Sequence, residues 1–125
     1  MQLVKNNYLY WEFIRHLRNL DGVREGFIQQ QAITKHQQQA YMSQYNDCFY
    51  ICLYKGEPAG YIGIIDDDIR VATHPDYQGK GVGSFMVKQI KKKYPSSVAK
   101  VKVENKASLN LFTKCGFKIK YYLLE

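Results

Sequence analysis

Acidic residues are scarce in the second half of this 125-residue chain. Residues 78–125 hold only Glu104 and Glu125 against 11 lysines, a balance of +9, whereas residues 1–77 balance at −2. An anionic partner is expected on the second half, and nucleic acid, a membrane surface or a phosphorylated small molecule would each suit that field. Apolar runs are short as well. None approaches the roughly 20 residues that cross a bilayer, and the opening MQLVKNNYLYWEFIRHLRN lacks the basic, apolar and small-residue zones of a secretory signal. A soluble, cytoplasmic protein is expected. Cysteine is sparse: Cys48, Cys52 and Cys115 form no C-x-x-C pair and show no ligand spacing with His16, His36 or His74. In an extended segment Cys48 and Cys52 lie about 13 Å apart, beyond disulfide reach. Buried free thiols and no metal are the expectation.

What is present suffices for one domain. A hydrophobic content of 46% with 14% aromatic residues supplies enough apolar surface to offset chain entropy and argues against disorder. Residues 8–20 place Leu9, Phe13, Leu17 and Leu20 at helical spacing before the stop Asp21-Gly22, with room for a stub strand ahead of them. A second helix is predicted over 33–45, with Thr34 as its N-cap. Then come FYICLYK, AGYIGII and IRVAT, three short runs joined by Gly56-Glu57-Pro58 and Asp66-Asp67-Asp68, which read as an antiparallel meander. His74-Pro75 ends the third run. Val82, Met86, Ile90 and Tyr94 mark a third helix stopped at Pro95, the alternation in SVAKVKVEN predicts a strand, KASLNLFTKC a short helix, and FKIKYYLL a last strand. The expectation is an α/β fold with a mixed sheet, in which the meander is followed by a βαβ-type crossover and splays open where the two meet. Ligands favour such carboxyl-end crevices.

The segment that carries chemistry is Gln78-Gly79-Lys80-Gly81-Val82-Gly83-Ser84, set between a strand and a helix. Its three glycines let backbone N–H groups close on an anion, and the helix dipole adds about half a positive charge there. This suits a pyrophosphate. Lys80 within the loop and Lys88, Lys91, Lys92 and Lys93 beyond it extend the positive field. The dinucleotide pattern G-x-G-x-x-G fails at Ser84, and the P-loop pattern fails because Gly79-Lys80 is followed by Gly81.

Gln78-x-x-Gly81-x-Gly83 resembles the acyl-CoA signature R/Q-x-x-G-x-G/A of the GNAT N-acetyltransferases. Downstream, Asn105-Lys106-Ala107-Ser108 followed by Leu111-Phe112-Thr113-Lys114-Cys115-Gly116-Phe117 is similar to the family's second hallmark. Together they cover about residues 47–120. The resemblance implies a single GNAT-like domain, with 1–45 forming the acceptor side and 47–120 the acyl-CoA core. Main-chain amides of Gly79, Lys80, Gly81, Val82, Gly83 and Ser84, with Gln78, would hold the pyrophosphate of acetyl-CoA, the acyl-donor cosubstrate. Main-chain groups near Val71 and Thr73 would pair with the pantetheine arm, Asn105 would contact it, and Phe112 would pack near the thioester. A backbone N–H near Thr73 would stabilise the developing oxyanion as an amine attacks directly.

Many members carry a tyrosine at the position of Phe112, whose hydroxyl protonates the departing thiolate. Cys115, Tyr121 and Tyr122 lie nearby in sequence, and Tyr122 is the candidate donor. Asp68 stands where family bases often occur. Arg15–Asn19, Val23-Arg24, Ile33 and His36 are similar to the branch acting on nucleotide-linked amino sugars and protein N-termini, so Arg24 and His36 are candidate acceptor contacts. The expected partner is a small-molecule amine rather than nucleic acid or membrane, and an exposed edge strand suits a homodimer. A protein amine as acceptor, a nonenzymatic CoA-binding module and a lysine-rich nucleic-acid binder are the alternative readings.

Overall fold

The computed structural model describes residues 1–29 and 31–125. Four strands, β1 (Gln2–Lys5), β2 (Phe49–Tyr54), β3 (Glu57–Ile65) and β4 (Asp68–Thr73), form an antiparallel sheet in chain order. Two tight turns set its register. Lys55-Gly56 and Asp66-Asp67 all have positive φ, the paired left-handed geometry whose twist matches a two-residue hairpin. Asp66 and Asp67 are therefore turn residues, and Asp68 alone of the three enters a strand.

Alternation along the strands divides the core into two layers. Phe49, Ile51, Tyr61 and Ala72 face α1 (Trp11–Asn19) and α2 (Lys35–Tyr45), packing on Ile14, Leu17 and Met42. Cys52, Ile62, Ile64 and Ile69 face α3 (Val82–Lys93), where Val82, Met86, Val87 and Ile90 recur at helical spacing, and Phe112 of α4 (Lys106–Lys114) closes that layer. The N-terminus of α2 is fixed as its sequence predicts. Gln37 N donates to Thr34 Oγ1 at 3.1 Å and Thr34 N to Gln37 Oε1 at 2.9 Å, a reciprocal capping box.

Three expectations are corrected. Leu9 belongs to a 3-10 turn, Tyr8–Tyr10, and is 72% exposed, because the Asn7 side chain caps that turn and α1 begins only at Trp11. The predicted strand 97–105 is reduced to one parallel bridge between Asp68 and Val98. Ile69 N donates to Val98 O at 2.9 Å and Val98 N to Asp67 O at 2.7 Å; beyond that point Ala99 and Val101 still pack on the core, but no ladder continues. The predicted last strand, 117–124, forms no ladder either, and Tyr121 to Leu124 are exposed. An alternating pattern becomes a strand only along another strand's edge; the first segment keeps to the edge of β4 only at Val98, and the second pairs with no strand among the described residues. The mixed character of the sheet is thus confined to the Asp68–Val98 bridge, which closes the crossover at the amino end of β4 and leaves its carboxyl end open.

Candidate active site

The open end of β4 is the organising feature. Ile69 N–H points to Val98 while His74 N–H points to Ala59 of β3 at 2.8 Å, so successive residues alternate between the two edges. By that alternation the main-chain groups of Val71 and Thr73 lie on the edge away from β3, where the sheet has no further strand. The side chains divide by face in the same rhythm: Val71 packs with the α3 layer, whereas Ala72 packs beneath α1 and α2, which places Asp68 and Arg70 on the same face as Ala72.

A cavity of about 800 Å³ opens along this edge. Asp68–Thr73, Gln78, Lys100, Asn105, Leu111 and Phe112 line one side, and Arg18, Phe27, Gln38, Tyr41 and Tyr61 the other. The crossover thus supplies one wall and the first 45 residues, with strand residues beneath them, supply the second. In the loop that follows β4, Gly79 and Gly81 adopt φ of 77° and 81°, left-handed values that few side chains tolerate. Gly81 is the N-cap of α3 and offers no side-chain acceptor, and the first intrahelical bond there runs from Phe85 N to Gly81 O at 3.0 Å. The amides of Val82, Gly83 and Ser84 are therefore left at the positive end of a 12-residue helix. Gly83 lies against α4, since a Cβ there would be 3.3 Å from Leu111 and 3.6 Å from Thr73 Oγ1. An elongated donor with a diphosphate at one end fits these features: uncapped amides at the start of α3, then an unpaired strand edge leading inward.

Residues 9–117 match the Acetyltransferase (GNAT) family. The chain belongs to the GNAT acetyltransferase family. It is an acetyl-CoA-dependent N-acetyltransferase. Solved structures share the fold. Spermidine N-acetyltransferase from Vibrio cholerae, solved with CoA and spermine, superposes with TM-score 0.84 at 15% identity, covering 99% of this chain and 84% of that one. The Salmonella typhimurium protein yncA, solved with acetyl-CoA, gives TM-score 0.80 at 18% identity, covering 97% and 81%. An aminoglycoside acetyltransferase, AAC(6')-Ib, solved with coenzyme A, gives 0.73 at 17% identity, covering 95% and 84%. No curated protein matches the sequence. In this GNAT chain no helix is long and apolar enough to cross a membrane, and no cluster of three metal-ligating side chains occurs among the described residues.

The structure gathers some of the candidate residues of this acetyltransferase and disperses others. Val71, Thr73, Gln78, Asn105 and Phe112 line the cavity; Gly79–Ser84 do not line it but adjoin it, with Gly83 against the lining residues Thr73 and Leu111. Phe112 is 5% exposed and packs edge-on to Phe117, centroids 5.2 Å apart. Asp68 also lines the cavity; its Oδ2 lies 4.0 Å from Arg70 Nη2 and 3.9 Å from Lys100 Nζ, and its buried Oδ1 has no hydrogen-bond partner among the described residues. Tyr122 is not brought to the cavity: it is 81% exposed on a segment without strand partners. Arg24 pairs with Asp21 at 3.3 Å on the surface, and His36 is exposed in the first turn of α2; neither lines the cavity.

Arg18, Tyr41, Tyr61 and Arg70 take that place. Arg70 Nη1 donates to the Tyr41 hydroxyl at 3.1 Å, and burial raises the Tyr41 and Tyr61 hydroxyls above their ordinary values. Burial likewise pulls the Arg18 guanidinium down. Arg18 carried a legible signal: it lies one helical turn past Ile14, so it leaves α1 on the buried face. Tyr61 shares the face of Phe49 and Ile51 for the same reason of periodicity, in its case two residues.

Proposed function

We propose that the acetyl group passes directly from acetyl-CoA to a primary amine on a small molecule, with a nucleotide-linked amino sugar as the leading acceptor. The observation that carries this reading is that the uncapped start of α3, at Gly83, lies against Thr73 on the unpaired edge of β4, which lines the cavity. The amides at Gly79–Ser84, with Gln78 and Lys80, hold the pyrophosphate. Main-chain groups of Val71 and Thr73 take the pantetheine arm as an added strand would, and one of their N–H groups faces the thioester oxygen as charge develops on it. Asn105 contacts the arm with the Nδ2 hydrogen not used in its bond to the Gly26 carbonyl. The amine nitrogen attacks the thioester carbonyl carbon, the carbon–sulfur bond breaks, and the thiolate departs.

Asp68 is the base in this scheme. It lies three residues from Val71, about 10 Å along the strand, so it receives the amine's proton through a short chain of waters. Phe112 packs beside the thioester and offers no proton, leaving water to protonate the thiolate. A volume of about 800 Å³ suits a small acceptor better than a protein surface. The free thiols of Cys48, Cys52 and Cys115 support a reducing compartment such as the cytoplasm.

The lack of a hydroxyl at Phe112 favours a second reading, a CoA-binding module without turnover. Thiol release from acetyl-CoA with a panel of primary amines separates the two. Acceptor-dependent release that falls in Asp68→Asn supports the enzyme; tight acetyl-CoA binding with no amine turned over supports the module.

A further inference from the structure

The cavity lining is cationic, and its charge is organised. Arg18, Arg70 and Lys100 line the cavity, whereas Asp68 is the one acidic side chain among the described lining residues. Two of the three cations already contact Asp68. Arg18 does not share that carboxylate. Its guanidinium lies 4.0 Å over the Phe27 ring, and its Nη2 donates to the Gln29 carbonyl. Its Nη1 is buried and has no hydrogen-bond partner among the described residues. A buried donor on a charged group costs free energy when unpaired, and a charge-assisted bond from an incoming anion offsets that cost. Arg70 is the natural second ligand, because Tyr41 holds its Nη1 and Tyr41 lines the same cavity. Arginine's planar fork suits carboxylate and phosphoryl oxygens in particular.

We infer that the acceptor amine carries an anionic oxygen group, a carboxylate or a phosphoryl, seated on Arg18 and Arg70. This rests on the acyltransfer reading above and sharpens it. Arg70 precedes Val71, whose N–H faces the donor's edge, so the anion sits within one small molecule's length of the reacting amine. A polyamine would place a second ammonium against two guanidinium groups, and the like-charge contact disfavours it. The specificity of this cavity therefore differs from that of the polyamine-acetylating Vibrio cholerae structure that shares its fold.

Matched acceptors test the inference. Glucosamine against glucosamine 6-phosphate isolates the phosphoryl group, an amino acid against its amide isolates the carboxylate, and spermidine supplies the cationic extreme. At least tenfold higher kcat/KM for one anionic member over its neutral partner is expected, carried mainly by KM and falling with added salt. In Arg18→Gln that ratio collapses toward one, and Arg18→Lys recovers part of it, while calorimetry gives acetyl-CoA affinity within about threefold of the parent as a check on folding. Equal turnover of neutral and anionic partners, preference for spermidine, or an unchanged ratio in Arg18→Gln would overturn it. If no amine is turned over although acetyl-CoA binds, the catalytic reading fails separately. The anion site is then read by titrating the same pairs into CoA-saturated protein, where binding of the anionic member that Arg18→Gln weakens sustains the site and equal or absent binding rejects it.

Discussion

Asn105 Nδ2 donates to the Gly26 carbonyl at 3.2 Å across 79 positions of chain, while Asn105 Oδ1 accepts from Ser108 N at 3.1 Å. One side chain thus caps α4 and ties the turn Arg24–Gly26 to the crossover that flanks β4. Lys102 Nζ reinforces the tie by donating to the Glu25 carbonyl at 3.0 Å. The two cavity walls are joined by these bonds, and a Cβ on Gly26 would approach Asn105 Nδ2 to 3.0 Å.

Replacing Asn105 by Ala removes the cap and the tether together. The cap contributes about 1 kcal/mol, and for a domain of this size that is a fall in Tm of roughly 3–6 °C. The KM for the acceptor is expected to rise more than acetyl-CoA affinity falls, because the tether positions the wall proposed to take the acceptor. Thermal denaturation with steady-state kinetics checks both, and equal losses for the two ligands would contradict the tether's role.

Gly81→Asp sets a carboxylate against the α3 amides. Aspartate is among the few residues that tolerate the left-handed φ of 81° found there, and the only neighbour of a Cβ is the Met1 side chain at 3.8 Å. The fold should survive while affinity for CoA drops at least 100-fold, about 2.7 kcal/mol. Micromolar CoA binding by the folded variant, measured by calorimetry, would remove the pyrophosphate from this loop.

Phe112→Tyr places a hydroxyl at a cavity-lining site only 5% exposed, which the proposed scheme sets beside the thioester. CoA affinity should move less than about threefold, since the ring and its packing on Phe117 are kept. An increase in kcat is the expected outcome. Unchanged kcat in stopped-flow thiol release would show that solvent already protonates the departing sulfur fast enough.

Gly60→Ala probes close packing rather than chemistry. A Cβ there would lie 2.7 Å from the Ala72 carbonyl of β4 and 2.8 Å from Met86 of α3. The methionine can yield but the backbone oxygen cannot without moving the strand that carries Asp68 and Arg70. A loss of roughly 2 kcal/mol is expected, read as a fall in Tm of about 6–12 °C; an unaltered Tm would mean that β3 and β4 separate freely.

Local chemistry made much of this fold legible. Thr34 and Gln37 cap α2, the Asp66-Asp67 turn joins β3 to β4, and the glycines at 79 and 81 release the backbone before α3, each through bonds or dihedrals within a few residues. Such features need nothing from distant chain, so residue type and spacing fix them. The alternation in 97–105 and 117–124 predicted strands equally well, yet a strand requires a partner's edge about 4.8 Å away. The path of the chain past Val98 withholds one, and that gap is what opens the cavity. The cationic and tyrosine lining of the cavity was hidden for the same reason. Arg18, Tyr41, Tyr61 and Arg70 come from four different elements, and their meeting follows from how α1 and α2 pack across β3 and β4, which no local spacing encodes.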